Sequence, residues 1–146
     1  MSDEKLAGIM RDFIQALEKK DLEKALSLFA EDAVWVTSEG SFKGKGELKR
    51  YLTWFFDVGQ NVKVTESGNK IIVQGNRAFY EHIISATYQG VRTESLAMCA
   101  YEFSGEKIQQ MRTVEDRLSI AKQAAKGWLS KWIVNSVVKR AEKGLH

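Results

Sequence analysis

The chain has 146 residues, 44% of them apolar and 28% charged, a balance that excludes a disordered or fibrous protein and suits one domain with a sizeable core. Its net charge of +3 is modest, and with a single cysteine, Cys99, it cannot form an internal disulfide, which fits a reducing, cytoplasmic setting. The first residues lack the apolar stretch of a secretion signal, and no apolar run approaches the roughly 18–20 residues that span a bilayer.

Leu6, Ile9, Met10, Phe13, Ile14 and Leu17 recur at the spacing of one apolar helix face and predict a first helix. Lys19 and Lys20 break it, and Asp21 is a suitable N-cap for a second helix carrying Leu22, Ala25, Leu26 and Phe29. Residues 33–36 read as a strand, 38–40 as a turn and 43–46 as a flexible approach to a third helix over 47–56. Gly44 and Gly46 lack the spacing and the closing Gly-Lys-Ser/Thr of a phosphate-binding loop.

From Asn61 the period changes to two, and residues 62–66, 70–74, 78–88, 93–103 and 107–114 read as five strands joined by short glycine-containing turns. Short links imply antiparallel hairpins. The class is therefore α+β: a curved, cone-like antiparallel sheet with three N-terminal helices over its concave face. Alternation puts Tyr80, His82, Ile84, Ala86 and Tyr88 on one face of their strand, and groups Ala97, Cys99 and Tyr101 on one face of the next.

Residues 1–116 form the predicted cone domain and 117–146 a helical extension. The first part has 18 acidic and 15 basic residues, a charge of −3; the second has seven basic and one acidic, a charge of +6. Gly127 is the only breaker between 118 and 140, so one long helix or two shorter ones is expected. Seven of the eleven residues 128–138 are apolar, with Trp128, Leu129 and Trp132 opposite Val134 and Val138 on a helical wheel. Such a helix needs cover on more than one side, from its own domain or a second subunit, and a homodimer is expected. The absence of a clean polar face argues against a membrane-surface helix, and the body offers no basic face for nucleic acid.

Phe29-Ala-Glu-Asp-Ala33, Tyr88-Gln-Gly90 and Phe103-Ser-Gly105 stand in a nearly gap-free register that resembles the ketosteroid isomerases. Over about residues 8–116 the chain is similar to SnoaL-like proteins of the nuclear transport factor 2-like superfamily. The resemblance implies a cone whose pocket face carries His82, Ile84, Ala86, Ala97, Cys99 and Tyr101. The isomerases use a tyrosine, a protonated aspartic acid and a second aspartate. Phe13, Cys99 and Thr37 stand at the matching positions, so that catalytic set is missing. The segment from Lys107 to Asp116 resembles the last strand of SnoaL-like cyclases and limonene epoxide hydrolases, where Arg112 and Asp116 match an arginine and an acid/base aspartate. The arginine and second aspartate that the hydrolases carry on the third long strand have no counterpart around residues 83–85.

His82 and Asp116 are the candidate catalytic residues. Histidine titrates near neutral pH, and burial in an apolar cone would raise an aspartate toward it. The alternatives are a core histidine and an Asp116 that caps the following helix; a single bulge would exchange Asp116 for Glu115. Phe13, Trp35, Thr37, Tyr51, Trp54, Phe55, Ile84, Ala97, Cys99, Tyr101 and Met111 are the candidate ligand-binding residues. With only His82 and His146 available, no histidine-rich metal site is expected, and no cofactor. Two readings stay open. One is binding of a small, largely apolar molecule with acid/base isomerase, cyclase or dehydratase chemistry. The other is a non-catalytic binding or assembly module whose C-terminal helix forms an oligomer interface.

Overall fold

The computed structural model describes residues 1–145, so His146 at the end of the extension lies outside the described residues. Helix α1 (Asp3–Lys19) starts where the Ser2 hydroxyl accepts the Lys5 N–H and stops at Lys20, whose φ of 55° cannot continue a helix. Its apolar stripe buries Leu6, Met10, Phe13 and Leu17. Asp21 then caps α2 (Leu22–Ser27) through the Lys24 N–H at 3.0 Å. Helix α3 (Gly44–Val58) buries Leu48, Tyr51, Leu52 and Phe56.

Six strands form one sheet in the order β2-β1-β6-β5-β4-β3. They are β1 (Phe29–Thr37), β2 (Gly40–Lys43), β3 (Gln60–Gln74), β4 (Arg77–Tyr88), β5 (Val91–Ser104) and β6 (Lys107–Glu115). All neighbours are antiparallel except β1 and β6, which run parallel. The α+β architecture is as expected, with three local corrections. Phe29 opens β1 rather than closing the second helix, and residues 40–43 pair with β1 as a short strand. Residues 62–66 and 70–74 belong to one strand, not a hairpin. Gly68 and Lys70, with φ of 52° and 55°, form a bulge that sets residues 67–70 against Glu81 alone, while β4 runs unbroken beside them.

The core is aromatic where α1, α3 and β1 meet. Phe13 stands edge-on to Phe29 (ring centroids 5.3 Å apart) and Trp35 (5.5 Å), and Trp35 meets Tyr51 edge-on at 5.0 Å. The extension is two helices, α4 (Arg117–Ala124) and α5 (Gly127–Ala141), separated at Gly127, where φ is 73°. Asp116 caps α4 by accepting the Ser119 N–H at 2.9 Å. The helix lies along β5 beyond the end of β6. There the Gln123 amide accepts the Glu94 N–H (2.8 Å) and donates to the Glu94 carbonyl (2.7 Å), replacing a missing strand neighbour.

Two stability changes follow, both readable in urea melts. Phe13→Ala should cost about 3–5 kcal/mol, because the ring is fully buried among other rings. Asp116→Ala should cost about 1 kcal/mol, the usual value of a lost N-cap, and should speed amide exchange in α4 above all.

Candidate active site

Strand alternation decides which side chains look into the cone. In register, Tyr80, Cys99 and Thr113 form one cross-strand row, and His82, Ala97 and Glu115 form the next. Both rows share the concave face, as the burial of Tyr80, His82, Ala97 and Cys99 shows. Val114 and Arg112 alternate to the outer face, where Arg112 donates to Glu102 at 3.1 Å and to Gln110 at 2.7 Å. Glu115 is therefore the last inward residue of β6. Asp116, one residue on, is exposed and spends its carboxylate on the α4 cap.

A cavity of about 190 Å³ opens at this end of the cone. Helix α3 supplies Tyr51, Trp54, Phe55 and Val58; Tyr88 comes from the end of β4, Glu115 from β6, and Ile120 and Arg117 from α4. Glu39, in the turn between β1 and β2, completes the wall. That turn is held by Thr37, whose hydroxyl accepts the Glu39 N–H at 3.1 Å. Trp54 stacks on Tyr51 at 5.7 Å, so the aromatic core continues into the cavity wall.

The polar groups of the cavity are unequal. Glu115 is desolvated and its carboxyl is pushed above the usual carboxylate value, a rise only partly offset by the Ser95 hydroxyl, which donates to it at 3.2 Å, and by Arg117. Burial also pushes Glu39 up, but the Thr37 and Ser38 hydroxyls, the Arg117 guanidinium and a backbone N–H together hold Glu39 below its usual value. Arg117 and Glu39 form an ion pair. The Tyr51 hydroxyl donates to Glu39 at 3.3 Å, and desolvation next to that carboxylate raises the phenol. One carboxylate is thus neutralised and fixed, while the other forms no ion pair among the described residues.

Of the sequence candidates, Tyr51, Trp54 and Phe55 line this cavity. Phe13, Trp35, Cys99, Tyr101 and Met111 are packed in the core. Burial raises the Cys99 thiol to about 11, so it stays protonated at neutral pH. Thr37 shapes the turn, and Ile84 and Ala97 lie on the concave face opposite Ser95 and Glu115. His82 stacks on Tyr80 at 4.5 Å; desolvation lowers its pKa, and its Nδ1 has no hydrogen-bond partner among the described residues. His82 and Asp116 make no hydrogen bond with each other: one sits in the sheet floor, the other on the rim. Glu39, Val58, Arg117 and Ile120 carried no sequence signal for a pocket. Glu115 did, because its parity matches Met111 and Thr113 rather than Arg112. Among the described residues no cluster of three or more His, Cys, Asp or Glu side chains could hold a metal ion.

Solved structures with this architecture are numerous. A hypothetical protein of Catenulispora acidiphila with a ketosteroid isomerase-like fold, in complex with trimethylamine, matches at 18% identity and a TM-score of 0.74 over 82% of this chain and 93% of its own. An epoxide hydrolase of the LEH-like type from M. tuberculosis matches at 15% identity and 0.71, over 92% and 97%. TerC, co-crystallised with polyporic acid, matches at 16% identity and 0.72, over 82% and 97%. No curated protein matches the chain. The SnoaL-like domain model matches residues 10–111, from the middle of α1 to β6. The chain therefore belongs to the SnoaL-like domain family, with the nuclear transport factor 2-like cone as its fold.

Proposed function

We propose that the chain binds a small, largely apolar molecule at the mouth of the cone and exchanges a proton with it through Glu115, in acid/base chemistry of the isomerase, cyclase or dehydratase kind. The carrying observation is the state of Glu115: a desolvated carboxyl with a raised pKa, set in a wall of aromatic rings. Such a group can donate or accept a proton closer to neutral pH than a solvated glutamate can. Tyr51, Trp54, Phe55 and Tyr88 supply apolar contact area. Arg117, anchored on Glu39, offers N–H donors to an oxygen that gains negative charge.

His82 is the second proton-holding group of this reading. It shares a row with Glu115 across the small side chain of Ala97, which places the two backbones about 10 Å apart at the usual strand spacing. A molecule seated over Ala97 spans that gap, and the lowered pKa keeps His82 neutral and able to accept a proton. Asp116 acts as a positioning residue, since it caps the helix that brings Arg117 and Ile120 to the cavity. Relatives that hold trimethylamine and polyporic acid support a small-molecule pocket in this fold.

The test is a carboxyl-carbon NMR titration with and without 2-naphthol as an apolar probe. Glu115 should titrate above 4.5, and 2-naphthol should shift the Glu115 and Trp54 resonances. A Glu115 that titrates at 4.5 or below sinks the proton-transfer role, and a probe that leaves both residues unmoved sinks the pocket.

Linkage gives a further expectation. Because folding raises the Glu115 pKa, the folded state holds the proton more tightly than the unfolded chain does. Its contribution favours folding at low pH and is lost as pH rises from the unfolded value through the folded one. Glu115→Gln should therefore gain stability relative to the parent between those two values, with a plateau above the folded pKa, in urea melts run as a pH series.

A further inference from the structure

Helix α5 is held from one side. Val138 is buried where the helix packs, chiefly against α4, with Val134 half-buried beside it. Trp128, Leu129, Trp132, Ile133 and Val137 fill the opposite half of the helix circumference, all between 50% and 80% exposed. An isolated α5 would be apolar on two sides, without the polar face that a membrane-surface helix needs. The fold covers one side and leaves a single apolar face with two tryptophans.

The charge around that face has one sign. No acidic residue lies between Arg117 and Ala141, and residues 117–146 carry +6. Lys139 and Arg140, in the last turn, project from the same half of the helix as the tryptophans. Arg140 borders an apolar surface groove that it shares with Trp132, Ile133, Ser136 and Val137. Lys131, Lys139 and Arg140 form no ion pair among the described residues. Ser136 is the one uncharged polar side chain inside that half, and its hydroxyl is spent on the Trp132 carbonyl at 2.8 Å. The face thus offers burial and positive charge but almost no directional hydrogen bonding. A protein contact draws on such bonds and depletes lysine from its centre, whereas a lipid surface asks for neither. Indole rings favour the boundary between headgroups and acyl chains, and long basic side chains reach back from it to anionic phosphates.

We propose that α5 is a peripheral anchor that lies in the plane of an anionic lipid bilayer, with its apolar face among the upper acyl chains and Lys139 and Arg140 on lipid phosphates. Its 15 residues span about 22 Å, short of the roughly 30 Å of a hydrocarbon core, and among the described residues no helix is long and apolar enough to cross a membrane. The field of an anionic surface draws the extension in and turns the body, with its charge of −3, towards water. The anchor is independent of the cavity, and its failure leaves the proton-transfer reading untouched.

The experiment is co-sedimentation of the full chain with vesicles of phosphatidylcholine containing about one-third phosphatidylglycerol, a strongly anionic surface. The variants are Trp132→Glu and the double variant Lys139→Gln, Arg140→Gln. All three positions are exposed, so both proteins should keep the parent's circular dichroism and urea midpoint. The parent should bind, and bind about 10-fold or more weakly at high salt or on phosphatidylcholine alone. Trp132→Glu should weaken binding by about 30-fold or more, and the double variant by about 10-fold or more. Phosphatidylcholine brominated on its acyl chains should quench the tryptophan emission of the bound parent. A parent that stays off the anionic vesicles overturns the proposal, and so do variants that bind as tightly as the parent. Equal binding to phosphatidylcholine alone overturns the role of charge, and binding without quenching overturns the insertion of the apolar face. A parent that ignores the vesicles but self-associates, and loses this with Trp132→Glu, overturns the proposal and assigns the face to a second copy of the chain.

Discussion

The architecture depends on one side chain, the indole of Trp35. Its Nε1–H donates to the Thr113 hydroxyl at 2.9 Å, and so joins β1 and β6, the one parallel pair of strands among the described residues. Strands so far apart in sequence gain nothing from a short turn, and their register has to come from side chains. The rings of Phe13, Phe29 and Tyr51 close around the same indole, linking α1 and α3 to that seam. Thr113 also lies 3.4 Å from the Cys99 sulfur, so the pairing is tied on to β5. A buried N–H that found no acceptor here would cost more than the bond contributes, which makes the arrangement selective as well as stable.

What could be read from the chain follows from the range of the forces involved. Helix α1 and the long hairpins β4–β5 and β5–β6 rest on local periodicity and local turns and were legible, while Gly127 stood out as the breaker of the extension with one helix or two left open. Strand β2 was not, because four residues with the pattern exposed, exposed, half-buried, exposed carry no alternating signal. The bulge in β3 was misread as a turn because Ser67-Gly68-Asn69 has turn chemistry; its true role depends on Glu81, twelve residues beyond Asn69. At the cavity, Tyr51, Trp54 and Phe55 could be named from helix spacing and resemblance. The meeting of Glu39 with Arg117 could not, since 78 positions separate them in the chain. The family aspartate at Asp116 drew attention one residue past the inward carboxylate. Strand parity with Met111 and Thr113 points to Glu115, and the register against Ala97 fixes it, because the strand runs without a bulge from Met111 to its end.

The cavity combines two solutions to the same electrostatic problem. A carboxylate leaving water needs a cation, several hydrogen bonds or a proton. Glu39 takes the first two, from Arg117 and from the Tyr51 and Ser38 hydroxyls. Glu115 has one hydroxyl and leans on the third. Two acids on one wall are thereby driven apart in behaviour, the usual arrangement by which a site separates a fixed charge from a mobile proton. Helix α4 keeps that separation in place, because Arg117 is its first residue and its far end is held by Gln123 on Glu94.

The bulge in β3 has a consequence at the rim of the sheet. A side chain on Gly68 would run into the Glu81 carboxylate, which is itself occupied by the Asn69 N–H and side-chain amide at 3.1 Å each. Those bonds take the place of regular rungs in the middle of an outermost strand, and at the opposite border β2 is only four residues long. Neither border offers an even row of free amides and carbonyls on which a foreign strand could template itself. The fold is guarded against growing sideways into ribbons and fibrils, and the encounters left to it are those between faces.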